Sequence, residues 1–499
     1  MKFTKYIFLL VALMMVQTSC DEGFAELNVD PTTGNQINPG FQFSYVQLRT
    51  SGGRYENWRA NLIYSSTMMQ HFATLCGYWS GDKYTFNGGY SSSLFDRAYG
   101  EQVKDMQDLV NTLETTDAGD QTMLGQAKIW RVVIFHRLTD LYGDVPYSQA
   151  GKGFLDGIDF PEYDEQEAIY NDMLNELEAG VALLGDGGFG SADLIYGGDV
   201  DKWRRFGNSL MLRLAMRLSK VDAASAQAWA AKAISGGIMS SNDDIAALLH
   251  TNGPTGLNNN GIGEVLDKAV GFGDDCPRLS HTLVDGLVST GDPRVDIFGV
   301  LPVNGGDHNG LPNGLDETTI QENPTGTTLD DFSSFNPLLV TVTAPMVFQT
   351  YSEAQLLLAE AIKRGWASGD AEEAYNAGVR GGMQQWAIYD GSLAVDDAAV
   401  DAYLAANPYN DSFEQIGYQY WLSTFLNEYE TFANWRRTGT PELTPVNYPG
   451  NVTNGQIPRR LIYPQSEIGL NPNLDKALSR QGLTTNFVNG LTVPVWWDN

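Results

Sequence analysis

Apolar side chains recur at three- and four-residue steps through most of this chain, most densely from Gly125 to Ala150. There Ala127, Trp130, Ile134, Leu138 and Leu141 share one face of a 3.6-period helix, and Val133 and Tyr142 widen the stripe. Lys128, Arg131, His136 and Asp140 fall mainly on the other side. Gly143 can take the left-handed conformation that closes a helix, and Pro146 forbids its resumption. So apolar a face needs partner helices to cover it.

The same periodicity predicts helices over 94–115, 165–184, 223–234, 351–365, 370–386 and 412–437, and two more within 41–75, broken at Ser51-Gly52-Gly53. Trp203, Phe206, Leu210, Leu214 and Leu218 form a further stripe. Arg204, Arg205, Arg213 and Arg217 lie off it, and in this acidic chain ion pairs with neighbours are the expected role, ahead of an anion site. Helix pairs at 94–142, 165–219 and 351–386 come near the ~34-residue unit of tetratricopeptide repeats. The prediction is an all-α fold of tetratricopeptide-like helix pairs with long loop insertions and little β-structure.

Two stretches break the helical pattern. Residues 76–93 hold Tyr78, Trp79, Tyr84, Phe86 and Tyr90 among Gly, Ser, Asp and Asn. Residues 251–345 are dominated by Asn, Gly, Pro, Asp and Thr, with one helical segment expected at 279–290. A non-helical stretch this long inside a domain is usually functional.

Charge narrows the partners. The chain carries 31 basic and 61 acidic residues, a formal −30. Such a surface repels nucleic acid and anionic lipid headgroups. At the N-terminus Lys2 and Lys5 precede an apolar run, Tyr6 to Val16, too short for the ~20 residues of a membrane span but fitting a secretory signal. Cys76 and Cys276 stand 200 positions apart, and a disulfide and two isolated thiols are equally open readings. No CxxC or HExxH supports a zinc site.

Thr18-Ser19-Cys20 resembles the lipobox of bacterial lipoproteins, with Gln17 in place of the usual Leu, and Asp21-Glu22 resembles the acidic surface-export signal of Bacteroidetes-type bacteria. Six further stretches in chain order carry a family resemblance. They are Glu26-Leu-Asn-Val-Asp-Pro31, Leu141-Tyr-Gly-Asp-Val-Pro-Tyr-Ser148, Tyr351 to Ala361 (YSEAQLLLAEA), Glu430 to Pro441 (ETFANWRRTGTP), Ile457 to Asn471 (IPRRLIYPQSEIGLN) and Val495-Trp-Trp-Asp498. Together they resemble the SusD/RagB family of outer-membrane nutrient-binding lipoproteins. The resemblance implies a signal peptide at 1–19, lipidation at Cys20, an extended tether over 20–40 and one helical domain over 41–499. It implies an outer-membrane location facing the cell exterior, a SusC-type TonB-dependent transporter as partner, and a ligand face built from inserted loops.

No catalytic motif appears: GxSxG, GxxxxGK[ST] and GxGxxG after a strand are all missing, and a non-enzymatic protein is expected. Aromatic rings beside Asp and Asn suit sugars, whose CH faces stack while their hydroxyls need partners, and suit a peptide groove equally. The candidate ligand residues are therefore Tyr78, Trp79, Asp82, Tyr84 and Asn87 in the first loop, with Phe272 and His308 in the second. For any single ring, packing the loop onto the body is the simpler role. The leading function is oligosaccharide binding and delivery; the alternatives are peptide binding, as in RagB, or a structural helical-repeat adaptor. Asn304 to Gly310 offers oxygen ligands for calcium but lacks the EF-hand spacing, so a turn cluster is favoured there and no cofactor is expected.

Overall fold

A computed structural model describes residues 37–115, 120–253 and 256–499. The signal peptide, Cys20 and most of the tether lie outside the described residues.

Helix α1 (Pro39–Thr50) starts on Asn38, whose side chain accepts the Gly40 N–H. A turn of α-helix, Arg54–Glu56, runs into a π-helical stretch, Asn57–Ser66, to form α2. Then come α3 (Lys104–Thr115), α4 (Gln121–Tyr142), α5 (Gln166–Ala182), α6 (Val200–Arg217) and α7 (Ala223–Ser235). After the loop region, which holds α8 (His281–Thr290), follow α9 (Tyr351–Lys363), α10 (Ala371–Gln384), α11 (Asp397–Ala406), α12 (Phe413–Ser423) and α13 (Glu428–Thr438). Neighbours α3–α4, α4–α5, α5–α6, α6–α7 and α9–α10 pack side by side, as the helix-pair reading required. The described strands are short and form antiparallel two-stranded ribbons. One hydrophobic cluster extends from Phe43 to Trp497.

Helix α4 is the centre. Asp120 caps its first turn, accepting from Thr122 N–H and Met123 N–H, and Gly143 ends it at φ +79°. Gly125 faces Gly180 of α5 so closely that a Cβ would stand 2.5 Å from the Gly180 carbonyl oxygen. Only glycine permits that crossing. The polar face differs from expectation. Lys128 and Arg131 are partly exposed, but His136 and Asp140 are buried, because helices and the C-terminal segment enclose α4. Asp140 accepts from the Tyr170 hydroxyl and from the Trp497 indole at 3.1 Å, and Arg217 lies 3.5 Å away. Burial, reinforced by the nearby charges of Arg213 and Arg137, keeps His136 neutral well below its ordinary range.

The arginines of α6 are ion-paired, as expected. Arg204 meets Asp201, and Arg205 meets Asp244. The inner two build a buried network: Arg213 with Glu353 at 2.6 Å and Glu430 at 3.4 Å, and Arg217 with Glu430 at 2.6 Å. Burial alone would raise the Glu430 carboxyl, but Arg213 and Arg217 override it and lower it to about 2. The helix predicted over 412–437 is two helices. The backbone turns at Leu426 (φ +71°), where Glu428 accepts the Leu426 N–H at 2.9 Å and lies 2.9 Å from buried His71.

Candidate functional site

The two loop regions singled out by composition meet in space. Phe72–Thr74 and Pro277–Leu279 form an antiparallel ribbon ending at the pair Thr74 and Pro277. Just beyond it Cys76 and Cys276 are joined in a disulfide, with Cα atoms 5.8 Å apart. Of the two readings left open by spacing, the structure has the paired one.

Asp274, buried next to this disulfide, organises the rings around it. Its Oδ2 accepts the indole N–H of Trp58 at 3.0 Å and of Trp79 at 3.3 Å. Its Oδ1 accepts the Tyr78 hydroxyl at 2.8 Å and the Cys276 N–H at 3.1 Å. Burial and the Asp274 carboxylate both push the Tyr78 phenol upward, so it remains a donor. A carboxylate with four donors holds the polar edges of three aromatic side chains in fixed directions.

Three of the platform's rings are largely open to solvent: Tyr55 is 43% exposed, Tyr78 40% and Phe272 58%. Trp58, half-buried between them, meets Tyr78 edge-on at 6.1 Å and Phe272 at 5.7 Å. Arg54 lies over Phe272, Trp58 and Tyr55 at 4.5, 5.4 and 5.5 Å, and Arg59 over Tyr55 and Tyr90 at 4.6 and 5.3 Å. Phe272 is presented by a tight loop whose N–H donates to the Glu264 carbonyl at 2.7 Å. A Cβ at Gly271 would stand 2.3 Å from the Gly263 carbonyl oxygen, so that loop closes only with glycine there. The result is a rigid, solvent-facing apolar surface fringed by guanidinium donors. Flat apolar faces beside polar groups of fixed direction are what stacking of a sugar ring requires.

The residues anticipated from sequence divide sharply. Tyr78 and Phe272 are on the platform. Trp79 and Tyr84 are core residues, 0% and 1% exposed, and offer no face to a ligand here. Tyr84 accepts the Val446 N–H at 3.3 Å and pins that segment. Asp82 is fully buried, paired with Lys83 at 2.9 Å and accepting from Asn313 at 2.6 Å. Asn87 caps the helical turn Gly88–Ser91. His308 is bound to Asp296 at 2.9 Å and Ser333 at 3.1 Å, bracing its loop. In that loop Asn304 donates to Asp331 at 2.7 Å, and among the described residues no group of three His, Cys, Asp or Glu side chains is placed to hold a metal ion. Arg54, Tyr55, Trp58, Arg59 and Asp274 were not anticipated. The signal was there in part: Arg54–Trp58 and Tyr55–Arg59 are two i,i+4 cation–ring pairs following a glycine break.

Comparison with known proteins fits this architecture. Residues 31–464 match the SusD-like family described as starch-binding associating with outer membrane. No curated protein sequence matches the chain. Among solved structures it is similar to a protein described as chitin-binding, at 35% identity and a TM-score of 0.84 over 93% of this chain and 100% of the other. It shares its fold with a chitin-binding SusD homolog from Flavobacterium johnsoniae, at 24% identity and a TM-score of 0.77 over 92% and 98% of the two chains. A SusD homolog from Bacteroides uniformis has the same fold, at 23% identity and a TM-score of 0.78 over 93% and 100%. With its helical fold and a family match spanning most of its length, the chain belongs to the SusD-like family.

Proposed function

We propose that this chain is a surface-exposed outer-membrane lipoprotein, anchored through Cys20, that captures an oligosaccharide and delivers it to a SusC-type TonB-dependent transporter without transforming it. The observation that carries the binding step is the platform of Tyr55, Trp58, Tyr78 and Phe272, fixed from below by Asp274 and the disulfide. The family description and the 35%-identical relative described as chitin-binding support a glycan, and a β-linked N-acetylglucosamine polymer in particular. The disulfide suits an exported protein. Among the described residues no helix is long and apolar enough to cross a membrane.

Isothermal titration of the mature domain with chito-oligosaccharides, malto-oligosaccharides and peptides tests this reading. Saturable binding of a chito-oligosaccharide is the expected result. Binding of peptides alone would overturn the glycan assignment and leave a RagB-like function, and binding of none would return the chain to an adaptor role.

A further inference from the structure

With twice as many acidic as basic residues, most partly exposed arginines of this chain lie against a carboxylate: Arg204 on Asp201, Arg205 on Asp244, Arg380 on Asp397 and Asp401, Arg480 on Asp144. Arg54 and Arg59 do not. Both are partly exposed, and among the described residues neither lies within ion-pair distance of a carboxylate or donates a hydrogen bond; Asp96 feels the charge of Arg59 from beyond that distance. Instead they alternate with rings along the platform in the order Phe272, Arg54, Tyr55, Arg59, Tyr90, at 4.5, 5.5, 4.6 and 5.3 Å. Stacking engages the face of a guanidinium and leaves its in-plane N–H donors free. The Nε of each is shielded from solvent without a partner. The terminal Nη groups are not among the shielded atoms, so they are the donors that a ligand's acceptor can reach.

Resting on the saccharide reading of this platform, we propose that Arg54 and Arg59 set its specificity. They select a sugar that carries a strong uncharged acceptor beside its stacking face, the acetamido carbonyl of an N-acetylhexosamine. They reject the same sugar once loss of the acetyl group leaves an ammonium. The neutral acetamide accepts from a guanidinium edge; the ammonium can only donate, and it adds like-charge repulsion in a partly desolvated place.

Three oligomers of equal length test this by titration: chitohexaose, its fully de-N-acetylated form at about pH 6, below the usual amine range, and cellohexaose, with a hydroxyl in place of the acetamide. The wild type should bind chitohexaose best, cellohexaose less well, and the de-N-acetylated oligomer at least tenfold more weakly than chitohexaose. The double variant Arg54→Met, Arg59→Met should lose about tenfold on chitohexaose, gain on the de-N-acetylated oligomer and hold on cellohexaose. Arg54→Lys, Arg59→Lys keeps the charge and the ring contacts but loses the fork. It should weaken chitohexaose while still excluding the amine, and an unchanged melt for either variant excludes loss of fold. An unchanged ratio of chitohexaose to de-N-acetylated binding in the Met variant overturns the proposal. A wild type that binds none of the three removes the saccharide reading beneath it, and the proposal with it.

Discussion

At the residue scale, Asp274 does for the platform what no ring could do alone. Four donors converge on it, from Trp58, Trp79, Tyr78 and the Cys276 backbone. An amide in its place can accept at only one atom and turns an N–H2 toward donors. Asp274→Asn should therefore cost roughly 1–3 kcal/mol of stability, the penalty for leaving buried donors unpaired, and should weaken ligand binding by freeing Trp58. A denaturant melt and a titration check both, and an unchanged affinity would show that the rings hold their places without it. This hub was invisible in the sequence: Trp58 and Asp274 stand 216 positions apart, and one Asp among 61 acidic residues announces nothing. His250 makes a second residue-level prediction. Burial pushes its imidazole down to about 4, with the Asn258 carbonyl its one hydrogen-bond partner among the described residues. Between pH 6.5 and about 4 the unfolded chain binds a proton that the folded chain refuses, so stability falls as pH falls through that window. The loss is at most on the order of 3 kcal/mol, and His250→Gln should flatten the curve of unfolding free energy against pH across this range. A slope unchanged by the substitution would show that His250 is not held neutral.

At the scale of elements, the helices were legible because their apolar stripes and caps are local. Where reading failed, the cause was non-local. His136 and Asp140 looked solvent-facing because periodicity reports one stripe, whereas α4 is covered on several sides by partners no window of sequence contains. The break between α12 and α13 is set by Glu428 reaching back to the Leu426 N–H beside His71, again a distant contact. Trp79 and Trp58 are equally aromatic and both follow glycine-containing breaks; which one packs inward is decided only when 76–93 docks against 267–276. The contact of α4 with α5 gives this scale its prediction. Gly125→Ala forces a Cβ to within 2.5 Å of a backbone oxygen. Overpacking of that kind costs about 1–3 kcal/mol, which outweighs the gain of up to ~1 kcal/mol that alanine brings to an open helix position. Gly100→Ala, where nothing lies within 4 Å, serves as the control and should not lower the melt. Equal melts for the two variants would mean that the helices part without cost.

At the scale of the whole molecule, those motifs of the family resemblance that lie within the described residues prove to be scaffold. Asp144, Glu353, Glu430, Arg437 and Asp498 lie in buried or half-buried ion pairs with Arg480, Arg213, Arg217, Glu360, Lys220 and Arg459 that join the end of α4, α6, α9, α13 and the C-terminal segment. Buried pairs of this sort bring modest net stability but fix one arrangement, since removing one partner strands the other. The fold was readable from these residues, whereas the site was not: its side chains come from the first turns of α2 and from loops at 76–93 and 267–276 that meet only in the folded chain. The central claim, that ligand is taken by the outward rings and not by the inward ones, is tested most directly by Trp58→Ala beside Trp79→Ala. Each variant is melted and titrated with the cognate oligosaccharide. Trp58→Ala should lose only about 1–2 kcal/mol of stability, for its bond to Asp274, and ~2 kcal/mol or more of affinity, about thirtyfold. Trp79→Ala should lose about 3–5 kcal/mol of stability; its own side chain lends no face to the ligand. Full affinity in Trp58→Ala, with binding lost in a Trp79→Ala variant that melts like the wild type, would contradict the account.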